Sequence, residues 1–115
     1  MKEVLQGLNA EVGVKGSILL THDGLVMAAE ISGTLDHETV AANASTTLLA
    51  IRGSLRGAGI DGFSRFVCNS RFGKMVFVET GDMYLVVVLD KSINLDYTMM
   101  SVTSAARRVR ALGDI

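Results

Sequence analysis

The chain has 115 residues, the length of one ordinary domain and too short for two. Apolar residues make up 49% of it and charged residues 20%, a globular composition that excludes intrinsic disorder. The formal net charge of −1 excludes the basic footprint of a nucleic-acid-binding protein. No apolar run reaches the roughly 18 residues typical of a membrane-spanning helix, so membrane insertion is not expected either.

Cysteine content and hydropathy indicate where and how the protein works. The single cysteine, Cys68, cannot form an internal disulfide and fits the reducing cytoplasm. The mean hydropathy of +0.37 is high for a small domain, which still has to cover itself with polar atoms. The first residues lead into no signal-peptide apolar block. We therefore expect a cytoplasmic protein whose excess apolar surface is covered by another protein chain.

The first third of the chain predicts a short helix and a hairpin. Residues 3–11 place their apolar side chains on one side, which predicts a short amphipathic helix closed near Gly13. Residues 14–21 predict a strand covered on both faces, as a central strand would be. The turn at residues 22–24 contains Asp-Gly between two apolar runs, which indicates an antiparallel pairing with a second strand at residues 25–31.

The rest of the chain predicts a long helix, three strands and a terminal helix. Residues 32–34 break the chain before Asp36, a good N-cap residue, and the helix that follows reaches about Gly57. Strands joined by tight turns are predicted at residues 63–69, 74–79 and 83–89, with the turns at residues 71–73 and 80–82. Residues 94–112 predict an amphipathic helix with Gly113 at its C-cap.

This order, α-β-β-α-β-β-β-α, defines the predicted fold class. Tight turns within each group of strands predict an antiparallel sheet, and the helices are expected to cover both of its faces. The fold is thus α/β of the α+β type, a three-layer sandwich with a five-stranded sheet. Residues 1–115 are expected to form a single domain, because the sequence contains no repeat, linker or low-complexity tract.

The long helix has an unusual outer face. At 100° per residue, a core-facing stripe is predicted at Val40, Ala44, Thr47, Leu48, Ile51 and Leu55. The opposite side, which is normally charged, carries Ala42, Ser45, Thr46, Leu49 and Gly53, with Arg52 and Arg56 at one margin. We interpret this face as a surface that packs against a second chain. The alternative is a solvent-facing side that merely has small residues.

The sequence contains no recognisable catalytic or ligand-binding constellation. His22 and His37 have no second ligand at metal-binding spacing and are interpreted as solvent-facing polar residues. Cys68 lies in a predicted strand and is interpreted as a small buried residue. The glycines before Lys74 and at the end of the long helix have neither the spacing nor the context of a phosphate-binding loop. We therefore predict no enzyme activity, cofactor or metal.

Three stretches carry a resemblance to a known family. Residues 16–26 are similar to the first hairpin of the roadblock/dynein light-chain family, and residues 35–42 to the start of its long second helix. Residues 85–88 match its apolar last strand. The order of elements extends the resemblance over nearly the whole chain. Within the family, the chain most resembles the stand-alone bacterial and archaeal members, the Mgl-type polarity regulators.

The resemblance implies an architecture and a mode of action. It implies a sheet between the long helix on one face and the two terminal helices on the other, and a homodimer with paired third strands and packed long helices. The interface residues would be Ala42, Ser45, Thr46, Leu49, Gly53, Arg65, Phe66, Val67, Cys68 and Asn69. Family members bind small Ras-like GTPases as scaffolds or activating regulators. The candidate residues for contact with a GTPase are Arg52 and Arg56.

Two other functions stay open from the sequence. One is a structural, light-chain-like adaptor that does not contact a GTPase. The other is a small-molecule sensory domain, because similar three-layer folds can hold ligands. A sensor needs a polar-lined pocket, and the few candidates for buried polar residues include Ser17 and Asn69.

Overall fold

The computed structural model describes residues 1–33, 35–71 and 73–113. Its elements are α1 (Lys2–Asn9), β1 (Val14–Thr21), β2 (Val26–Ile31), α2 (His37–Gly57), β3 (Arg65–Asn69), β4 (Lys74–Glu79), β5 (Met83–Leu89) and α3 (Leu95–Gly113). The predicted order is confirmed, and the predicted boundaries lie within two residues of these. The predicted breaks at residues 32–34 and 71–73 each include one residue outside the described ranges, and the last two residues of the predicted domain also lie outside them.

The five strands form one antiparallel sheet in the order β2-β1-β5-β4-β3. β1 and β5 lie in the middle, and most of their side chains are buried on both faces, as predicted for β1. The connection through α2 takes the chain from β2 at one edge of the sheet to β3 at the other edge. β2 and β3 are therefore the two edge strands.

Side chains on the two faces of the sheet build two separate cores. Leu19 and Leu85 face α1 and α3, whereas Ile18 and Val86 face α2. All four are fully buried. The successive residues of β1 alternate between the cores because strand side chains point to opposite faces. The arrangement of one helix on one face and two on the other is thereby confirmed.

The long helix begins at the predicted cap. The Asp36 carboxylate accepts hydrogen bonds from the Thr39 hydroxyl at 3.0 Å and from the Glu38 backbone N–H at 3.1 Å. These bonds hold the pKa of Asp36 below its ordinary value, and the bond from Thr39 has the largest effect. A depressed pKa in the folded state means that Asp36 favours folding at neutral pH. This contribution is lost as the pH falls through the pKa of the folded state.

α2 covers only part of its face of the sheet. It packs mainly on β2 and β1, and Ala44 and Leu48 are fully buried there. Cys68 of β3 is exposed, so its predicted burial is wrong. Sequence periodicity identifies a strand but cannot show that the strand lies at an edge beyond the reach of the covering helix.

The two polar residues considered for a ligand pocket have ordinary structural surroundings. Ser17 is buried as expected, and its hydroxyl donates to the Asn9 side-chain carbonyl at 2.6 Å. Asn69 is exposed on β3, so its predicted burial is wrong for the same reason as that of Cys68. Neither residue therefore lines an enclosed polar cavity.

Candidate interaction surfaces

The β3 edge directs backbone hydrogen-bonding groups away from the sheet. The Ser64 carbonyl accepts from the Glu79 N–H at 2.9 Å, and the Ser70 N–H donates to the Gly73 carbonyl at 3.0 Å. Because pairing alternates along an antiparallel ladder, the even-numbered residues of β3 face β4. The odd-numbered residues direct their N–H and C=O groups outward: Arg65, Val67 and Asn69. An open edge of this kind can pair with another strand.

Beside this edge lies an apolar surface that we name the open half-sheet, formed by Phe63, Phe66, Cys68 and Met75. The Phe66 ring lies 6.1 Å from that of Phe63 and 6.2 Å from that of the buried Phe77. It remains 37% exposed. Met75 is half-buried and pairs across the ladder with Cys68. The open half-sheet is thus an apolar continuation of the β3 edge on the α2 side of the sheet.

The outer face of α2 is largely as predicted. Ala42, Thr46, Leu49 and Gly53 are exposed. A glycine inside a helix costs about 0.5–1 kcal/mol relative to alanine. Among the described residues, nothing would lie within 4 Å of a Cβ at Gly53, so packing within the chain does not explain this glycine. Ser45 is different: it is half-buried, and its hydroxyl donates to the Gly24 carbonyl at 2.5 Å. Its predicted place on the outer face is therefore wrong.

The two arginines predicted to act together have different surroundings. The Arg52 guanidinium donates to the backbone carbonyl of His22 in the β1–β2 turn, and the side chain is half-buried. Arg56, one turn further along α2, is exposed. Ser45 and Arg52 are two helical turns apart, so both reach the same side of α2 and hold it against the turn. Arg52 therefore has a structural partner in its own chain.

His22 belongs to a polar cluster at the end of the sheet, where its side chain is still 36% exposed. Its ring lies 5.0 Å from that of Tyr84. Its Nε2 lies 3.1 Å from the Gly81 carbonyl and 3.7 Å from the Glu79 carboxylate. Burial, followed by the charge of Glu79, raises the pKa of Tyr84. The Tyr84 hydroxyl therefore stays protonated at neutral pH, and it donates a hydrogen bond to the Phe63 carbonyl at 2.8 Å.

We expect Tyr84→Phe to lower the free energy of unfolding by about 1 kcal/mol, because the Phe63 carbonyl loses its donor. Urea denaturation at a fixed chain concentration measures the change. The matched control is Tyr97→Phe, since Tyr97 is 69% exposed. Equal stability of Tyr84→Phe and the wild-type protein would show that the Tyr84 bond does not fix the position of Phe63.

The described residues offer few features for ligand chemistry. Within them, no three His, Cys, Asp or Glu side chains are grouped as a metal site would require. His37 is exposed at the start of α2. In the same ranges, none of the helices combines the length and apolarity needed to cross a bilayer. The features that could bind a partner are instead the sheet edges and the uncharged outer face of α2.

Together, these features define the class of protein: a three-layer α/β sandwich whose sheet has two open edges. The family model for the Roadblock/LC7 domain matches residues 1–89, which places the chain in the Roadblock/LC7 family. An uncharacterized protein of Methanocaldococcus jannaschii is 34% identical over 109 residues, covering 95% of this chain and 92% of that protein.

Two solved structures show the same fold. The Roadblock/LC7 domain from Streptomyces avermitilis superposes with a TM-score of 0.80 at 18% identity, covering 100% of this chain and 98% of that one. MglB of Myxococcus xanthus superposes with a TM-score of 0.83 at 16% identity, covering 98% and 94%. The resemblance stated from the sequence is thereby confirmed at the level of family and fold.

Proposed function

We propose that the protein is a homodimeric scaffold or regulatory protein that binds a small Ras-like GTPase and modulates its GTP hydrolysis. The single observation that carries this proposal is the position of the open half-sheet directly beside the outward-facing β3 edge. The proposal includes a cytoplasmic location, where the exposed Cys68 thiol stays reduced. It also includes the absence of catalytic activity in the chain by itself.

The β3 edge suits a symmetric dimer. With a twofold axis at Val67, all three outward-facing residues of β3 pair with a second copy. Arg65 then lies opposite Asn69 of the second copy, and Phe66 lies opposite Cys68, so like charges do not face each other. The open half-sheets of the two copies become contiguous, and the apolar side chains of Phe66 are covered. The result is a continuous ten-stranded sheet with both α2 helices on one side.

The two α2 helices then form a composite surface for the GTPase. The uncharged face of each helix, with Ala42, Thr46, Leu49 and Gly53, is the surface predicted to pack against the second copy, and the exposed Arg56 at the end of each helix faces the partner. Stimulation of GTP hydrolysis requires either ordering of the GTPase's own catalytic groups or a supplied arginine. The Arg52 guanidinium is bound to the His22 carbonyl, which favours Arg56 as the arginine that contacts the partner.

The proposal is tested with purified Ras-like GTPases encoded in the same genome, loaded with GDP or with a non-hydrolysable GTP analogue. We expect the dimer to bind one of them preferentially in one nucleotide state, and Arg56→Glu to weaken that binding about tenfold or more. The matched control is Arg107→Glu, at another exposed arginine, which lies on α3 on the opposite face of the sheet. Calorimetry measures both affinities.

Two outcomes would contradict the proposal. A dimer that binds none of these GTPases would favour the light-chain-like adaptor. Equal weakening by Arg56→Glu and Arg107→Glu would place the contact elsewhere. Of the remaining alternatives, a small-molecule sensor is the less favoured, because Ser17 is bonded within the chain and Asn69 lies on an exposed edge.

A further inference from the structure

β2 is a second open edge, on the side of the sheet opposite β3. The Ser32 N–H donates to the Lys15 carbonyl at 3.0 Å, which fixes which residues of β2 face β1. By the alternation of the ladder, Ala28 and Glu30 pair with β1, whereas Ala29 and Ile31 direct their backbone N–H and C=O groups outward. The register shifts beside Met27, so the regular outward pattern extends from Ala28 to Ile31.

An apolar groove runs along this edge, between β2 and the start of α2. It has a volume of about 400 Å³ and is lined by Val26, Ala29, His37, Glu38, Ala41 and Ala42. We name it the β2 groove. The hydrophobic side chains at the hairpin end of the strand are 46–66% exposed: Leu25, Val26 and Met27. A strand added at the β2 edge would direct every second side chain toward the β2 groove.

The surroundings of the β2 groove are acidic. Between Lys15 and Arg52 the sequence contains no lysine or arginine, and its acidic residues are Asp23, Glu30, Asp36 and Glu38. Glu30 is paired with Lys2 at 3.7 Å. Asp23 at the hairpin and Glu38 in the lining of the groove are both exposed. Lys2 offsets Glu30, and Arg52 is bonded to the His22 carbonyl beside Asp23. The charge in the lining of the groove is therefore that of the exposed Glu38, which favours an occupant with positive charge.

We propose that the β2 edge and the β2 groove bind an extended segment of a partner protein, which alternates apolar side chains and carries lysine or arginine at its ends. The outward N–H and C=O groups of Ala29 and Ile31 pair with the segment's backbone, the groove takes its apolar side chains, and Asp23 and Glu38 attract its charges. A second copy pairing through its own β2 would bring these acidic residues together. The site is separate from the β3 edge, and it shares Ala42 with the outer face of α2.

The probe is a fluorescein-labelled peptide of eight residues that alternates valine with threonine and has a lysine at each end. A matched peptide has glutamate at both ends. Fluorescence anisotropy with the full chain measures affinity, and amide hydrogen exchange locates the contact. We expect the lysine peptide to bind about tenfold more tightly than the glutamate peptide. We also expect it to slow exchange at the amides of Ala29 and Ile31, because Ala28 and Glu30 are already bonded to β1.

Ala29→Pro removes an outward N–H that β1 does not use, so the strand can stay folded. We expect it to weaken binding of the lysine peptide about tenfold or more. Ala29→Thr keeps the N–H and serves as the matched control, and Glu38→Lys is expected to reverse the preference between the peptides. Lack of binding up to millimolar concentration, or binding that survives Ala29→Pro, would overturn the proposal. Oligomers larger than a dimer that Ala29→Pro dissolves would also overturn it, because a second copy would then occupy this edge.

Discussion

We expect Val67→Pro to convert the proposed dimer, which has twice the chain mass of 12.2 kDa, into a folded single chain. The Val67 N–H faces outward, whereas Phe66 and Cys68 carry the hydrogen bonds to β4. Proline removes a donor from the open edge and places its ring where a paired strand would lie, but it leaves the β3–β4 ladder complete. Light scattering after size exclusion measures the mass, and far-ultraviolet circular dichroism reports whether the fold is kept.

Ala29→Pro provides the matched control, because it places the same residue at an outward-facing position of the other edge strand. We expect this variant to remain a dimer. Val67→Pro should thus halve the mass and leave peptide binding unchanged, whereas Ala29→Pro should keep the mass and weaken peptide binding. A folded Val67→Pro variant that keeps the mass of two chains would show that β3 is not at the interface.

Gly24→Ala is expected to lower the free energy of unfolding by about 3 kcal/mol, because it combines backbone strain with a steric clash. The φ of Gly24 is +87°, and a Cβ there would lie 2.7 Å from Ser45 Oγ and 3.2 Å from Leu49 Cδ1. The Ser45 and Leu49 side chains would have to move, which breaks the bond from Ser45 to the Gly24 carbonyl and disturbs the packing of α2 on the β1–β2 turn. Urea denaturation at a fixed chain concentration gives the free energy.

Gly33→Ala separates the two contributions. Gly33 also has a positive φ, +77°, but among the described residues no atom would lie within 4 Å of a Cβ there. We expect a loss of about 1 kcal/mol from strain alone. The difference between the two variants measures how firmly α2 is held on the turn. Equal losses in both would mean that Ser45 and Leu49 do not fix the helix there.

The elements were predictable because each has a strong local signal. Asp36 marked the start of α2, and its carboxylate caps the helix as expected. The Asp-Gly turn predicted the hairpin, and Gly24 takes the positive φ that such a turn requires. The core-facing stripe of α2 was equally clear, since Ala44 and Leu48 are fully buried. Periodicity identifies these features because they depend on residues close together in the sequence.

The surroundings of the site could not be predicted in the same way. Arg52 and Ser45 were expected on an outer surface, but they bond to the backbone of a turn more than twenty residues earlier. Cys68 was expected to be buried, but it lies on an edge strand that α2 does not cover. Both outcomes depend on where α2 crosses the sheet. A helical wheel gives the faces of a helix but not which of its flanks meets which strand.

The most direct test of the proposed function is the mass of the complex between the full chain and its GTPase, measured by light scattering after size exclusion with the nucleotide state held fixed. The proposal predicts two chains for each bound GTPase, and a complex that is lost with Val67→Pro because the composite surface of two α2 helices is no longer formed. A complex of one chain with one GTPase that persists with Val67→Pro would contradict it.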